Sequence, residues 1–188
     1  MIMAMLVVYR EIAIIIPIIV LFPKGITMTH PLRQHMAYVA CPLTNIPEEE
    51  LAPLRKLYLK IGGVLEKAGY IAYIPHVFGD PLLVAHLKPR QIDRIDRTAV
   101  GQSSLLVIYA GRAASGWGQE LEMAYVQTKP VIMIFEDHIR VSRLSLGNRM
   151  IVKKIRYKTE KEGLKELTKA IKKLQKSQPD WLPDILKL

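Results

Sequence analysis

Ser115-Gly116-Trp117-Gly118-Gln119-Glu120 sets a carboxylate just behind two alternating glycines, and the residues that follow carry the apolar pattern of a helix. Glycines lack the Cβ that would keep a ligand from the backbone. At a helix start, free N–H groups and the positive dipole end favour an ionised carboxylate and nearby anions. Upstream, the run Leu105 to Tyr109 reads as a buried strand. Strand, glycine turn and helix in that order put Glu120 at the carboxyl end of a sheet, where open α/β folds bind ligands. Helix phase separates the two neighbouring carboxylates. At about 100° per residue, Glu122 points roughly 200° from Glu120 and reads as a solvated charge. Leu121 and Tyr125, spaced i, i+4, supply a packing face, and Ala124 keeps the pocket side small. Glycine turns of this kind also close loops that catalyse nothing, so the site needs support from the rest of the chain.

The elements that must position Glu120 follow from local patterns. Residues 36–41 read as a first strand, ended by Pro42. Pro47 and the Glu48-Glu49-Glu50 run suit the first turn of a helix. Leu51, Leu54, Tyr58, Ile61 and Leu65 form its apolar stripe, and Gly69 its C′ residue. Pro53 implies either a kink or the proper start of that helix. A second strand spans 70–74, then a long loop from His76 to Pro89, then a polar helix from Arg90 to Gln102 carrying Asp93 and Asp96. The third strand is 105–109, the fourth 130–135 and the fifth 151–157, with a basic helix from about Lys161 to Lys176. Alternating strands and helices predict a flavodoxin-like, doubly wound parallel sheet of about five strands, ordered 2-1-3-4-5, in a single domain.

Composition narrows the function classes. A chain of 188 residues, half of them hydrophobic, fits one globular domain. The single cysteine, Cys41, rules out an internal disulfide framework and fits a reducing, cytoplasmic compartment. None of the five histidines pairs at zinc-ligand spacing, so neither a metal site nor a cofactor is expected. The net charge of +10 is concentrated in the tail: residues 151–188 hold 11 Lys or Arg against 5 Asp or Glu. There Leu164, Leu167, Ile171 and Leu174 make one apolar stripe, and the lysines between them read as a solvated face, not as a nucleic-acid reader. Residues 1–35 read as an apolar extension outside the domain at 36–188, with Met28 and Met36 as alternative starts. The apolar run Ile12 to Phe22 is too short to span a bilayer and is interrupted by Pro17. It lacks the flanks of a signal peptide, and an interfacial anchor is its alternative role.

From about Tyr38 to Phe135 the chain resembles the nucleoside 2-deoxyribosyltransferase family and its relatives that hydrolyse the N-glycosidic bond of deoxynucleoside monophosphates. Tyr38-Val39-Ala40-Cys41-Pro42-Leu43 is similar to the family's first-strand motif, Tyr-Leu-Ala-Gly-Pro-Phe, which lines the nucleoside pocket. Gly116-Trp117-Gly118-Gln119-Glu120-Leu121 with Ala124 resembles the segment Gly-x-Gly-x-Glu-Leu-x-x-Ala, whose glutamate is the nucleophile. Asp96, eight residues before Ser104, matches the spacing of the family's active-site aspartate. Three departures bear on substrate: Cys41 replaces a glycine, Ser104 stands where an acidic residue is frequent, and Ser115 is one position from a phosphate-holding serine.

The resemblance implies an enzyme that cleaves or transfers the N-glycosidic bond of nucleosides or nucleotides through Glu120. Tyr38 would hydrogen-bond Glu120, and Asp96 would orient it or protonate the departing base. Cys41, Pro42, Gly116 and Gly118 would line the substrate pocket. Asp93 would face the same side as Asp96 or pair with Arg90 or Arg97. His76 and Asp80, after strand two, would contact the base or cap turns. Trp117 would stack on a base or pack against a neighbouring subunit. A homo-oligomer with shared sites is expected, with Trp117, Trp181, Leu182, Ile185 and Leu186 as apolar contacts. The competing reading is a non-catalytic nucleotide-binding module of the same fold; it would keep the glycines without needing Glu120 and Asp96.

Overall fold

A computed structural model of the protein describes residues 35–78 and 85–177. The extension expected over 1–35 falls outside these residues apart from His35, which opens the first strand; so do Asp80 and the tail segment from Trp181. The chain runs β1 (His35–Ala40), α1 (Glu48–Lys67), β2 (Tyr70–Tyr73), α2 (Pro75–Phe78), α3 (Pro89–Gln102), β3 (Ser103–Tyr109), α4 (Ser115–Val126), β4 (Val131–Glu136), α5 (Arg143–Leu146), β5 (Ile151–Tyr157) and α6 (Glu160–Lys176). All five strands are parallel, in the order β2-β1-β3-β4-β5. The expected doubly wound, flavodoxin-like sheet is the one observed.

Two apolar clusters sandwich the sheet. Tyr58, Ile61 and Leu65 of α1 and Leu167 and Ile171 of α6 bury one face, together with Val39, Val107 and Ile134. Val100 of α3 and Leu121 and Ala124 of α4 bury the other, against Tyr38, Leu106 and Met133. Each such aliphatic side chain contributes about 1.5–3 kcal/mol relative to exposure. β3 and β4 are buried almost throughout because helices cover both their faces. β5 is an edge strand and exposes Lys153, Lys154 and Arg156, charges that oppose edge-to-edge pairing.

Local details depart from the sequence expectations in instructive ways. α1 neither starts nor stops at Pro53: it is one helix from Glu48, with the proline inside. The missing N–H costs one bond in the second turn, and the burial of Leu51, Leu57 and Tyr58 on either side outweighs that loss. Gly62 lets α1 approach β2 closely, since a Cβ there would stand 2.5 Å from Ile74 Cδ1. Gly69 takes φ +87°, the left-handed residue that closes α1. The loop expected from His76 contains the short helix α2.

Candidate active site

β1 and α4 create the site by converging on one hydrogen bond. Tyr38, fully buried, donates its phenolic proton to Glu120 Oε1 at 2.5 Å. Asp96 Oδ1 lies 3.3 Å from the same phenolic oxygen. A phenol has one proton, so the shorter contact marks Glu120 as its acceptor, and the longer one leaves Asp96 as the secondary neighbour. The residues that the sequence singled out from three separate elements therefore form one chain, Asp96–Tyr38–Glu120. Glu120 is 9 % exposed, and its Oε2 has no hydrogen-bond partner among the described residues. The turn expected before it is absent: Gly116 and Gly118 lie in the first turn of α4, and Glu120 is the sixth residue of the helix.

Those two glycines are informative. Neither has a positive φ, and a Cβ on either would meet nothing within 4 Å. Packing does not demand them, although each costs a helix up to about 1 kcal/mol relative to alanine. Open space at the start of α4 is what a ligand needs to approach the backbone.

Burial dominates the electrostatics. It pushes the Glu120 carboxyl up to about 7; the Tyr38 hydrogen bond opposes this and Asp96 adds to it. The Asp96 carboxyl is raised as well, chiefly by burial, with Tyr38 opposing and Asp93 adding. Tyr38 is held firmly protonated by burial and by the two carboxylates. The result is a Glu120 carboxyl pushed up to about 7 beside a second, raised carboxyl at Asp96, bridged by a phenol that stays neutral.

The other expected site residues fall in different places. Cys41 is buried, and its thiol is pushed up by burial, then by Glu120 and Asp96. The Pro42 carbonyl accepts the Tyr58 hydroxyl at 3.0 Å. His76 is buried on α2, its ring tilted against Tyr58 at 5.8 Å. Trp117 is 5 % exposed, packs in the cluster on the α3 and α4 face and donates from Nε1 to the Arg112 carbonyl at 2.8 Å. Tyr125, assigned to packing, is 42 % exposed. Glu122 is exposed, as its helix phase requires, and Asp93 pairs with Arg97 at 2.9 Å.

Sequence reasoning missed Tyr73. It is the direct β2 partner of Tyr38, and the two rings stack at 5.3 Å and 19°. Phe78 stacks on the outer face of Tyr73 at 5.0 Å and 20°. No sequence signal pairs Tyr38 with Tyr73, because register is a tertiary property.

Two cavities open beside the carboxyl ends of the strands. One, of about 410 Å³, is lined in part by Glu49, Tyr109, Gly111 and Glu136. The other, of about 320 Å³, is lined in part by Thr44, Asn45 and Ser115. Glu50 and Arg112, an ion pair, line both. Glu120 walls neither; the segment 79–84, next to Phe78 in the chain, is outside the described residues. Among the described residues no group of three or more His, Cys, Asp or Glu is placed to hold a metal ion, and no helix is long and apolar enough to cross a membrane.

No family model matches the chain, and no curated protein does. Solved structures do. A conserved protein from Enterococcus faecalis superposes with TM-score 0.55 at 18% identity, covering 73% of this chain and 99% of that one. The CMP N-glycosidase of Clostridium botulinum superposes with TM-score 0.51 at 20% identity, covering 72% and 98%. At such identities the likeness establishes the shared fold.

Proposed function

We propose that the protein cleaves or transfers the N-glycosidic bond of nucleosides or their monophosphates, with Glu120 as the nucleophile. The carrying observation is the state of Glu120: one oxygen is fixed by Tyr38, and the other has no partner among the described residues. Its free oxygen attacks C1′ as the C1′–N bond breaks, and the bonding pair leaves with the base. That base is a better leaving group once a ring nitrogen takes a proton, which Asp96, raised by its own burial, is suited to supply. Before the ester forms, the carboxylate stabilises the positive charge developing on the sugar. Water then releases the sugar in a hydrolase, or a second base takes it in a transferase. The CMP N-glycosidase that shares the fold supports this reading, as does the convergence of Tyr38, Asp96 and Glu120.

The test is incubation with a panel of ribo- and deoxyribonucleosides and their 5′-monophosphates, with and without an acceptor base, read by chromatography for free or exchanged base. Release that disappears in Glu120→Ala supports the proposal. Tight binding of a panel member with no base release from any of them would instead favour a nucleotide-binding module.

A further inference from the structure

The three-ring stack beside Glu120 has no part in the chemistry described so far. Tyr38 lies on β1, Tyr73 opposite it on β2, and Phe78 on α2, with successive centroids 5.3 and 5.0 Å apart and nearly parallel planes. Both faces of Tyr73 are thus covered by rings, so it offers no face to a base. Its neighbour Tyr38, by contrast, must place one phenolic oxygen 2.5 Å from Glu120 and 3.3 Å from Asp96. A phenylalanine-type side chain pivots about two torsions, and a small rotation of the ring plane moves the hydroxyl by more than a hydrogen bond tolerates. Stacking resists that rotation, because offset parallel rings gain most at one relative orientation.

We infer that Tyr73, backed by Phe78, is a positioning residue that locks the ring of Tyr38 so that its hydroxyl stays on Glu120. The inference rests on the proposed role of Glu120 only for its effect on rate; its effect on the carboxyl is independent of any reaction. Among the described residues, the titratable groups that act on Glu120 are Tyr38 from β1, Cys41 just after it, Tyr73 from β2 and Asp96 from α3. Of these, the Tyr38 hydrogen bond is the influence that lowers the carboxyl. Releasing Tyr38 should therefore raise the titration of Glu120, whereas admitting water should lower it.

The experiment follows the Glu120 side-chain carbon by carbon-13 NMR across pH, assigned by its loss in Glu120→Gln. Tyr73→Leu keeps an apolar residue but removes the stack, and should raise the Glu120 midpoint by about one pH unit, as Tyr38→Phe does. Tyr73→Phe keeps the ring and should restore the wild-type midpoint, which places the effect in the stack and not in the Tyr73 hydroxyl. In the Tyr38→Phe background, Tyr73→Leu should add nothing. Phe78→Leu should raise the midpoint by less, and it decides the matter if Tyr73→Leu does not fold. A midpoint that stays in place or falls in these variants overturns the inference. Kinetics separate it from the functional proposal. If base release is real, Tyr73→Leu lowers kcat about tenfold near pH 6 with KM little changed. If Glu120→Ala still releases base while the midpoint moves as expected, the nucleophile assignment fails and the positioning role stands.

Discussion

Two glutamates meet tyrosine hydroxyls at the carboxyl end of this sheet, and their surroundings differ. On the α1 and α6 face, Glu136 ends β4 and its Oε1 accepts from Tyr109 of β3 at 2.8 Å and from Tyr157 of β5 at 3.0 Å. Three adjacent strands are tied at their ends. Gly111 packs against this cluster, which also lines the cavity of about 410 Å³, and a Cβ there would collide with Tyr109 and Glu136. On the other face, Glu120 is held by a single phenol, has a second carboxyl one phenol away, and lies on a helix whose first-turn glycines face open space. Both carboxylates have one oxygen without a partner among the described residues. What differs is the glycine beside each: filled contact at Gly111, vacancy at Gly116 and Gly118.

The sharpest way to break this contrast is to remove each carboxylate in turn. Glu120→Ala should lower base release at least about a thousandfold with the fold intact. Glu136→Gln should leave the rate within a few-fold while the melting temperature falls, since a tie between strands is weakened. The reverse pattern, measured by base release and thermal melting, would exchange the roles assigned to the two faces.

Asp96→Asn should come next, with about a hundredfold loss in kcat and a small change in KM, because the proton donor is lost while binding surfaces remain. Asp93→Asn, which only loosens the surface pair with Arg97, serves as its control. Equal losses at the two positions would remove Asp96 from the mechanism.

The pH dependence sharpens the same difference. Glu120 must be ionised to attack, so kcat/KM should fall as pH drops through about 7. Tyr38→Phe should shift that limb to higher pH, because the lost hydrogen bond had favoured the ionised form. The sign for stability is opposite to that for activity. The folded carboxyl titrates above its ordinary value of 4.5, so the folded state binds this proton more tightly than the unfolded chain. The resulting stability is fully present below 4.5 and is lost as pH rises through about 7. Glu120→Gln should flatten that part of a denaturation series run from pH 4 to 8.

The smallest effects concern the glycines themselves. Gly116→Ala, on the same helix face as Glu120, should stabilise the protein by about 0.5–1 kcal/mol while raising KM. Gly111→Ala should destabilise it by about 1–3 kcal/mol, because the added carbon meets Tyr109 and Glu136. Chemical denaturation and initial rates read both. Stabilisation at Gly111 would show that Tyr109 and Glu136 give way to the added carbon.

Much of this was legible in the chain because it is local. The buried runs of β3 and β4, the apolar stripes of α1 and α6 and the cap at Gly69 are set by neighbours a few residues apart. Strand–helix alternation then leaves few topologies open, and the order 2-1-3-4-5 was among them. Tyr38, Asp96 and Glu120 were legible as types at informative spacings, and helix phase alone separated Glu120 from Glu122. The placing of Trp117 was not legible, because a large aromatic beside a glycine turn reads the same whether it faces outward or turns back onto the Arg112 carbonyl.

Sequence by itself determined the elements, their order, and which carboxylates were available. Tertiary structure decided how they meet. The β1–β2 register placed Tyr73 on Tyr38, and packing of α4 against β1 sank Glu120 to 9 % exposure and moved its carboxyl toward neutrality. Those outcomes depend on contacts between residues 35 and 82 positions apart. Distance, dielectric and ring orientation across such separations come into being only when the sheet closes.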